Sequence, residues 1–598
     1  MAFSDFGIFL GDVSLFEINH FTKDPKKTQQ STLKKIIFMN KNCEYGRRYN
    51  FADIHSIEDY QRMVPLTTYE DYEPYVERMI HHKEKNLMFT GPNIRYCSSS
   101  GSVGKPKILP KSVNDLWKMQ CIGFSVSVAT AAHWLKKNKG IKLPPQMGPL
   151  VLILTGHRLE DGKKCNGAGQ IPLDYLKHIT RFFCTSPVSL LMPEHEELID
   201  TSYLQLRFAL ENENVSYLGS MVVTLLTTMF DYLEEHWEML CDDIEKGIIN
   251  PSVKITPELY KKYAKKFKPN PKRAAALRKE FEKGFDTPIA PRIWPKLTWG
   301  YGMMGSNLSI YIDKLRKSVG DLPLHNMGYA AAEGYFATPT ELNVADAVLL
   351  PHCIFFEFLP VRQGEDHADE TATPLLLHQL EVGKDYEMIV SNYSGLYRYR
   401  TFDVFHVTRM YNNTPCVELL YRQNLSMNVA NEKTTTQMVD YVAKQTAARM
   451  NAEFTGHSFY PDFSTKPPRY TMLVELKDGK EVSEEERQKY IDVLDDELNK
   501  VNEKYFKYRR WGMLSRPEVL FLQRKTYWDY RESLRGAGVV LNQIKPVTVI
   551  NSPAREQFFF SHVVTKAPVV DLVLNGEIEK AEPAEAPAEA PAEAATEA

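Results

Sequence analysis

The sequence predicts an α/β protein with a large N-terminal part and a smaller C-terminal part. Residues 150–154 form a short apolar run with branched side chains, which favours a buried β-strand. Between residues 216 and 247, apolar side chains recur three and four positions apart, which predicts one long amphipathic helix. From residue 426 onward, strand-like and helix-like segments alternate over about 140 residues, enough for a second α/β domain.

The remaining patterned segments support the same fold class. They are, in chain order, helical segments at 32–88 and 114–136, a solvated basic helical segment at 255–282, strand-like runs at 294–306, 329–336 and 386–404, a helix at 431–450, strands at 470–476 and 518–522, and a helix capped by Ser483 and Glu486. We therefore expect an N-terminal domain at 1–425 and a C-terminal lid domain at 426–566. The tail at 567–598 repeats Pro, Ala and Glu, which predicts an acidic disordered segment.

Composition narrows the function classes. The chain has 598 residues and a formal net charge of −3, which gives no electrostatic reason to expect nucleic acid as a partner. Its eight cysteines are scattered without a Cys-x-x-Cys pair, which favours reduced thiols in the cytoplasm over a zinc site. The N-terminus lacks a secretory pattern, and no apolar run approaches the roughly 20 residues of a membrane span. A small-molecule partner is expected, and the oligomeric state stays open between a monomer and a weak dimer.

Residues 98–107 are the most distinctive loop in the chain. They contain four serines, two glycines and two lysines. Glycine allows backbone N–H groups to approach an anion, hydroxyls add donors, and lysine adds a mobile charge, so the run fits a phosphate-binding loop. A solvated Ser/Gly loop explains the same residues. The spacing differs from G-x-x-x-x-G-K-[ST], so a P-loop is excluded, and the helix that follows at 114–136 offers an N-terminus to a phosphate.

Two carboxylates stand in apolar surroundings further along the chain. Glu333 lies among alanine, glycine and aromatic residues, where burial without a partner would be costly. Mg²⁺ is one suitable partner, because it takes oxygen ligands from one or two carboxylates and from substrate phosphates. A solvated surface glutamate explains Glu333 equally well. Asp403 lies between Phe402 and Val404 in a strand-like run, a position that sheet packing alone does not explain.

The order of these motifs resembles one family. Residues 99–107 resemble the phosphate loop of the acyl-adenylate-forming ANL enzymes. Residues 329–336, the run from Tyr393 to Arg400 with Asp403, and residues 542–546 resemble the Gretchen Hagen family of acyl acid amido synthetases. The resemblance extends from about residue 32 to about residue 564. It implies a large ANL-type α/β domain with a smaller mobile lid, and a ligase that uses ATP and Mg²⁺ to join a carboxylic acid to an amine such as an amino acid.

The resemblance also implies roles for individual residues. ATP would be bound by the loop residues Ser99, Ser100, Gly101 and Ser102 and, further along the chain, by Tyr329, Asp403 and Arg422. Glu333 would bind Mg²⁺ at the end of its strand, and Asp403 would accept hydrogen bonds from the ribose hydroxyls. The cationic catalytic residues would be Lys107, Lys433 near the domain junction, and Lys545 in the mobile lid.

Two departures from the family pattern leave the substrates open. The phosphate loop is one residue shorter than in the plant enzymes, and Ala331 and Ala332 stand where those enzymes usually carry serines. A plant hormone substrate is therefore not assumed. Two alternatives also stay open, namely an acyl-CoA ligase that makes a thioester and a non-catalytic descendant that binds a ligand or a partner.

Overall fold

The computed structural model describes residues 3–99, 107–151, 156–167, 182–191, 200–304, 310–361, 368–423, 427, 429–430, 432, 434, 436–536, 547–550 and 553–564 of the chain. Helices and strands alternate along these ranges, so the predicted α/β class is confirmed. Within the described ranges, no helix is long and apolar enough to cross a membrane.

The strands of the described residues are numbered in chain order. They are β1 (Arg95–Ser99), β2 (Lys107–Lys111), β3 (Leu150–Val151), β4 (Gly156–Arg158), β5 (Lys164–Gly167), β6 (Tyr217–Val222), β7 (Trp299–Met303), β8 (Leu324–Asn326), β9 (Tyr329–Ala330), β10 (Tyr335–Thr338), β11 (Ala347–Leu349), β12 (Phe355–Val361), β13 (Leu375–Leu376), β14 (Asp385–Ser391), β15 (Tyr399–Tyr411), β16 (Thr414–Arg422), β17 (Phe454–Asp462), β18 (Arg469–Leu476) and β19 (Glu518–Phe521).

The helices are numbered in the same way. They are α1 (Phe3–Phe21), α2 (Pro25–Asn40), α3 (Glu44–Arg48), α4 (Ile57–Met63), α5 (Glu73–His81), α6 (Val113–Lys139), α7 (Val188–Leu191), α8 (Thr201–Glu211), α9 (Val223–Lys246), α10 (Pro257–Ala264), α11 (Pro271–Phe281), α12 (Ala290–Ile293), α13 (Ile310–Val319), α14 (Thr436–Arg449), α15 (Glu484–Val501), α16 (Glu503–Arg510), α17 (Thr526–Gly536) and α18 (Pro553–Ser561).

Four sheets organise these elements. An eight-stranded antiparallel sheet has the order β13-β12-β14-β15-β16-β11-β10-β9. A parallel sheet has the order β3-β6-β7-β8 and packs against α8 and α9, which bury their apolar faces on it. A mixed sheet has the order β2-β1-β5-β4, and β17-β18-β19 form the sheet of the C-terminal part.

The helices at the N-terminus pack on the eight-stranded sheet, as the sequence predicted for residues 32–88. The amide of Gln29 in α2 donates to the carbonyls of Pro351 and Ile354, at 2.8 Å each, and its oxygen accepts from the Phe356 amide at 2.7 Å. Apolar side chains of α2, α4 and α5 join the same buried cluster as β12 and β14. The start of the chain is therefore fixed to strands more than 300 residues away.

Two predictions about the parallel-sheet region were wrong in part. Residues 216–222 were assigned to the long helix, but β6 occupies 217–222 and the helix begins at Val223. Pairing with β3 and β7 overrides the helical spacing, and a Cβ at Gly219 would lie 2.7 Å from the Tyr301 ring. The basic segment 255–282 contains two helices, and its charge is not only at the surface. Arg273 is buried and donates to the carbonyls of Leu210 and Ile293.

The C-terminal elements agree with the sequence prediction. Strands β18 and β19 occupy the predicted positions, and α14 covers most of the predicted helix. The Ser483 side chain accepts a hydrogen bond from the Glu486 amide at 3.2 Å, as expected for the start of α15. Apolar side chains of these elements form a core cluster of their own. The predicted tail at 567–598 lies outside the described residues.

Candidate active site

Two paired strands flank the predicted phosphate loop. Strands β1 and β2 are antiparallel, and Ser99 at the end of β1 lies opposite Lys107 at the start of β2. The predicted ligands Ser100, Gly101 and Ser102 lie outside the described residues, as does the Ser99 side chain. The sequence predicted a helix directly after this loop, but β2 intervenes and α6 begins only at Val113. The loop therefore connects two strands.

Lys107 points from this hairpin toward the eight-stranded sheet. Only 9% of the residue is exposed, and its ammonium donates to the Tyr399 hydroxyl at 3.3 Å. The same ammonium lies 5.6 Å from the centre of the Tyr69 ring and 5.9 Å from that of Tyr399. Aromatic faces attract a cation without neutralising it. Lys107 therefore links the first residue of β2 to the first residue of β15.

Tyr329 and Asp403 meet at another part of this sheet. The Tyr329 hydroxyl, at the start of β9, donates a hydrogen bond to the Asp403 carboxylate on β15. Asp403 is buried, and its Cα is paired with that of Arg422 on the adjacent strand β16. The Arg422 side chain lies outside the described part of the chain. The fold thus brings together three residues that the resemblance assigned to nucleotide binding. Tyr329 and Asp403 meet through their side chains, and the pairing of β15 with β16 places Arg422 next to Asp403.

Glu333 lies in the turn between β9 and β10, beyond the strand end at which the sequence placed it. The turn is closed by hydrogen bonds between Ala331 and Gly334, at 2.9 and 3.2 Å. Asn392 fixes it further, because its side-chain amide donates to the Glu333 carbonyl at 2.7 Å. Glu333 is only 4% exposed, yet no side chain among the described residues donates a hydrogen bond to its carboxylate.

These surroundings suit a divalent cation. The Glu333 carboxylate oxygens are not among the described side-chain atoms that are enclosed without a partner, so water or a cation can reach them, and a bound cation would offset their charge. The described residues contain no group of three His, Cys, Asp or Glu side chains that could hold a metal ion. A site with one protein carboxylate suits Mg²⁺, which takes its other ligands from water and from substrate phosphates. Glu333 therefore fits the Mg²⁺ role that the resemblance implies.

The two arginines of the Tyr393–Arg400 motif have a different task. The Arg398 guanidinium donates to both Glu357 carboxylate oxygens and, at 2.7 Å each, to the carbonyls of Gln61 and Val64. Arg400 forms a bidentate pair with Glu387 at 2.9 and 2.7 Å. The Arg400 pair joins the neighbouring strands β14 and β15, and Arg398 joins the start of β15 to β12 and to the end of α4. The most family-specific motif therefore combines structural arginines with Asp403 a few residues later.

The other predicted cations are not described. Lys433 and Lys545 both lie outside the described residues, and their roles stay predictions. The neighbour of Lys433 is fixed to the C-terminal part. The Glu432 carboxylate accepts hydrogen bonds from the Val429 and Ala430 amides, at 2.7 and 2.6 Å, and from the Tyr470 hydroxyl. Burial raises the pKa of Glu432, although these donors oppose the rise.

Sequence reasoning missed the polar residues that support this site. Asn392, Ser394, Lys111 and Asp115 were assigned no role, but all four are buried close to the hairpin and the Glu333 turn. One signal was available, since an acid three residues after Ser112 is typical of a helix start. Tyr399, whose hydroxyl accepts the hydrogen bond from Lys107, was recognisable in the sequence only as an aromatic residue of the Tyr393–Arg400 motif.

Comparison with known proteins identifies the family. Models of the GH3 family N-terminal, central and C-terminal domains match residues 14–324, 347–422 and 435–554 of the chain. The chain belongs to the GH3 family. The resemblance to the Gretchen Hagen acyl acid amido synthetases is therefore confirmed.

Several relatives match over most of this GH3 chain. The jasmonoyl–L-amino acid synthetase GH3.5 of Oryza sativa subsp. japonica is 26% identical over 555 residues, which cover 90% of this chain and 94% of the relative. The putative indole-3-acetic acid-amido synthetase GH3.9 of Arabidopsis thaliana is 27% identical, with 78% and 82% covered. The solved structure of AtGH3.15 acyl acid amido synthetase in complex with 2,4-DB has a TM-score of 0.61 at 22% identity and covers 93% of this chain and 96% of its own. The GH3 fold is thus shared over nearly the full length.

Proposed function

We propose that this GH3 chain is an ATP-dependent acid-amido synthetase. A carboxylate oxygen attacks the α-phosphorus of ATP, the bond to the β-phosphate breaks, and pyrophosphate leaves. The amine nitrogen then attacks the acyl carbon of acyl-AMP, the bond to AMP breaks, and the nitrogen loses a proton. The amine substrate is proposed to be an amino acid, in line with the names of the relatives. The acid remains to be identified by experiment.

The single observation that best supports this function is the contact between Tyr329 and Asp403. It joins two family motifs that lie 74 residues apart in the chain, and it sits one strand from Arg422. A scaffold that only binds a partner has no physical need for a buried carboxylate at this position. We assign Asp403 to the ribose hydroxyls, with Tyr329 fixing the orientation of its carboxylate and Arg422 beside it.

The remaining roles are proposed from the family resemblance. Ser99, Ser100, Gly101 and Ser102 would bind the phosphates, and Lys107 would bring a positive charge to the same loop. Glu333 would hold Mg²⁺, which when bound offsets the negative charge of the phosphates. Lys433 and Lys545 would stabilise the charge that develops at the α-phosphate, since adenylation depends on positioning and electrostatics.

The proposal includes the division of the chain. We assign residues 1–425 to the adenylation domain and residues 426–566 to a lid that carries Lys545. The separate core of the C-terminal sheet supports this division. A cytoplasmic location is also proposed, and it is supported by the free thiols of the cysteines that the structure describes.

The test is exchange of labelled pyrophosphate into ATP across a broad library of carboxylic acids. We expect exchange with at least one acid in the wild type, and none with Glu333→Ala or Asp403→Ala at unchanged thermal stability. Wild-type exchange in either variant would overturn the site assignment. The second step is tested by adding amino acids or coenzyme A to the active acid. An amide product supports the proposal, whereas a thioester product would make the chain an acyl-CoA ligase.

A further inference from the structure

Lys111 and Asp115 form a buried ion pair beneath the candidate site. Lys111 ends β2, Asp115 lies in the first turn of α6, and their side chains are 1% and 4% exposed. The ammonium donates to the carboxylate at 2.9 Å. Apolar side chains of similar size often stabilise a fold as well as such a pair does, because removing two charges from water is costly. The pair is therefore a candidate for a role beyond folding.

Hydrogen bonds connect this pair to the Glu333 turn. The Ser394 hydroxyl donates to the Asp115 carboxylate at 2.8 Å and accepts from the Ser112 amide at 3.0 Å. The Ser394 amide in turn donates to the Asn392 side-chain oxygen at 2.9 Å. The amide of that same asparagine holds the Glu333 carbonyl at 2.7 Å. A continuous network thus connects the start of α6 to the backbone carbonyl of Glu333, the residue whose carboxylate is assigned to the metal.

The charges of these groups also act on one another. Burial alone would lower the pKa of Lys111, but Asp115 above all, then Cys97 and to the smallest extent Glu333, outweigh burial and raise the pKa. Arg95 is a second buried cation, directly opposite Lys111 across the β1–β2 pair. Within this cluster, Lys111 and Asp115 neutralise each other. Changing one member leaves a net charge next to the position assigned to Mg²⁺.

We propose that the Lys111–Asp115 pair sets the electrostatic potential at Glu333 and so determines how strongly Mg²⁺ promotes ATP binding. The inference rests on the proposed function. Both residues act through Glu333 and are positioning residues. Without the Lys111 charge the cluster becomes more negative, which favours a divalent cation and disfavours metal-free ATP. Without the Asp115 charge the cluster becomes more positive, and both effects reverse.

The experiment measures ATP affinity of the full chain by isothermal titration calorimetry without an acid substrate. Each protein is titrated in excess Mg²⁺ and again in EDTA, and the ratio of the two dissociation constants reports the benefit of the metal. We expect Lys111→Met to raise the benefit, and Asp115→Asn to lower it, by about threefold to tenfold each, from the charge interaction at an intermediate dielectric. The double variant Lys111→Met/Asp115→Leu restores the charge balance and should return the benefit to within about twofold of wild type.

A purely structural pair would give a different result. Loss of packing shifts both single variants in the same direction, and that outcome would overturn the inference, as would shifts under twofold. If Lys111→Met does not fold by circular dichroism, Asp115→Asn and the double variant still decide, because the first must lower the benefit and the second must restore it. Glu333→Gln separates the two proposals. If it leaves the benefit of Mg²⁺ unchanged, the metal assignment itself is wrong.

Discussion

The eight-stranded sheet carries two kinds of buried charge. Arg398 and Arg400 are each matched by a carboxylate in bidentate geometry, and Arg398 also donates to two backbone carbonyls. Glu333 is equally buried, but no described side chain donates a hydrogen bond to its carboxylate, and Asp403 faces Tyr329 and β16. The difference teaches that burial alone does not mark a functional charge. The two arginine pairs hold the fold, whereas the Glu333 carboxylate, to which no described side chain donates, is available to a ligand.

The largest effect is expected from removing a structural charge, that of Arg398. Arg398→Ala leaves Glu357 buried without its cation, which should lower the free energy of unfolding by about 3–5 kcal/mol. Chemical denaturation measures this loss. The matched control is Arg62→Ala, whose side chain is 73% exposed beside Asp59 and should cost under about 1 kcal/mol. A loss below about 1 kcal/mol for Arg398→Ala would show that the two kinds of charge are not built differently.

Glu333→Gln should give the next largest effect, and on activity. We expect pyrophosphate exchange to fall by about 100- to 1000-fold, the typical cost of losing one electrostatic group at a reacting centre. Unfolding should change by under about 1 kcal/mol, since the amide replaces a carboxylate without described donors. The control is Glu387→Gln, which weakens the pair with Arg400 and should reduce stability while exchange per folded molecule persists. Loss of stability with normal exchange in Glu333→Gln, together with loss of exchange at normal stability in Glu387→Gln, would contradict the contrast between the two carboxylates.

A smaller effect is expected at Tyr329. Tyr329→Phe removes the hydrogen bond to Asp403, and a bond to a charged group of about 1.5 kcal/mol corresponds to about a tenfold loss of ATP affinity. Calorimetry with ATP measures the change. Tyr335→Phe is the matched control, because that hydroxyl donates at 2.7 Å to the Met327 carbonyl and not to Asp403. Equal losses in both variants would remove Tyr329 from the nucleotide site.

The smallest effect is expected at the exposed end of the Arg400 pair. Arg400 also donates to Glu370 at 2.8 Å, but the Glu370 side chain is 70% exposed. Glu370→Gln should therefore change the free energy of unfolding by less than about 0.5 kcal/mol, and the change should disappear in 1 M salt. A larger loss would mean that exposure is a poor guide to which charges hold this sheet.

The sequence indicated candidate site residues where their chemistry was conspicuous in their surroundings. Glu333 among small and aromatic residues, and Asp403 between two apolar neighbours, were recognisable without a structure. The α/β class followed from residue periodicity, which is a local property. The structural roles of Arg398 and Arg400 were not predictable, because their carboxylate partners lie 41 and 13 residues earlier in the chain and meet them only in the folded sheet.

Other misses have the same origin in tertiary contacts. Tyr217 to Val222 fit the spacing of the following helix, and only pairing with β3 and β7 makes them a strand. In the sequence, Arg273 is one basic residue among many. In the fold it is buried and donates to the backbone carbonyls of Leu210 and Ile293. Around Lys111 and Asp115, the sequence indicated only a helix-capping pattern. Their connection to the Glu333 turn was not predictable, because it passes through Ser394, 279 residues beyond Asp115.

The attachment of α2 to the loop before β12 has a consequence for synthesis of the chain. Gln29 bonds a carbonyl 322 residues later in the sequence. At about 5–20 residues per second, the ribosome needs roughly 16–64 s to make that partner. During this interval the apolar face of α2 lacks β12 and β14, which complete its buried cluster in the finished protein, and the part of α2 that they cover is open to a chaperone. Slower translation would lengthen that exposure without changing the stability of the finished protein.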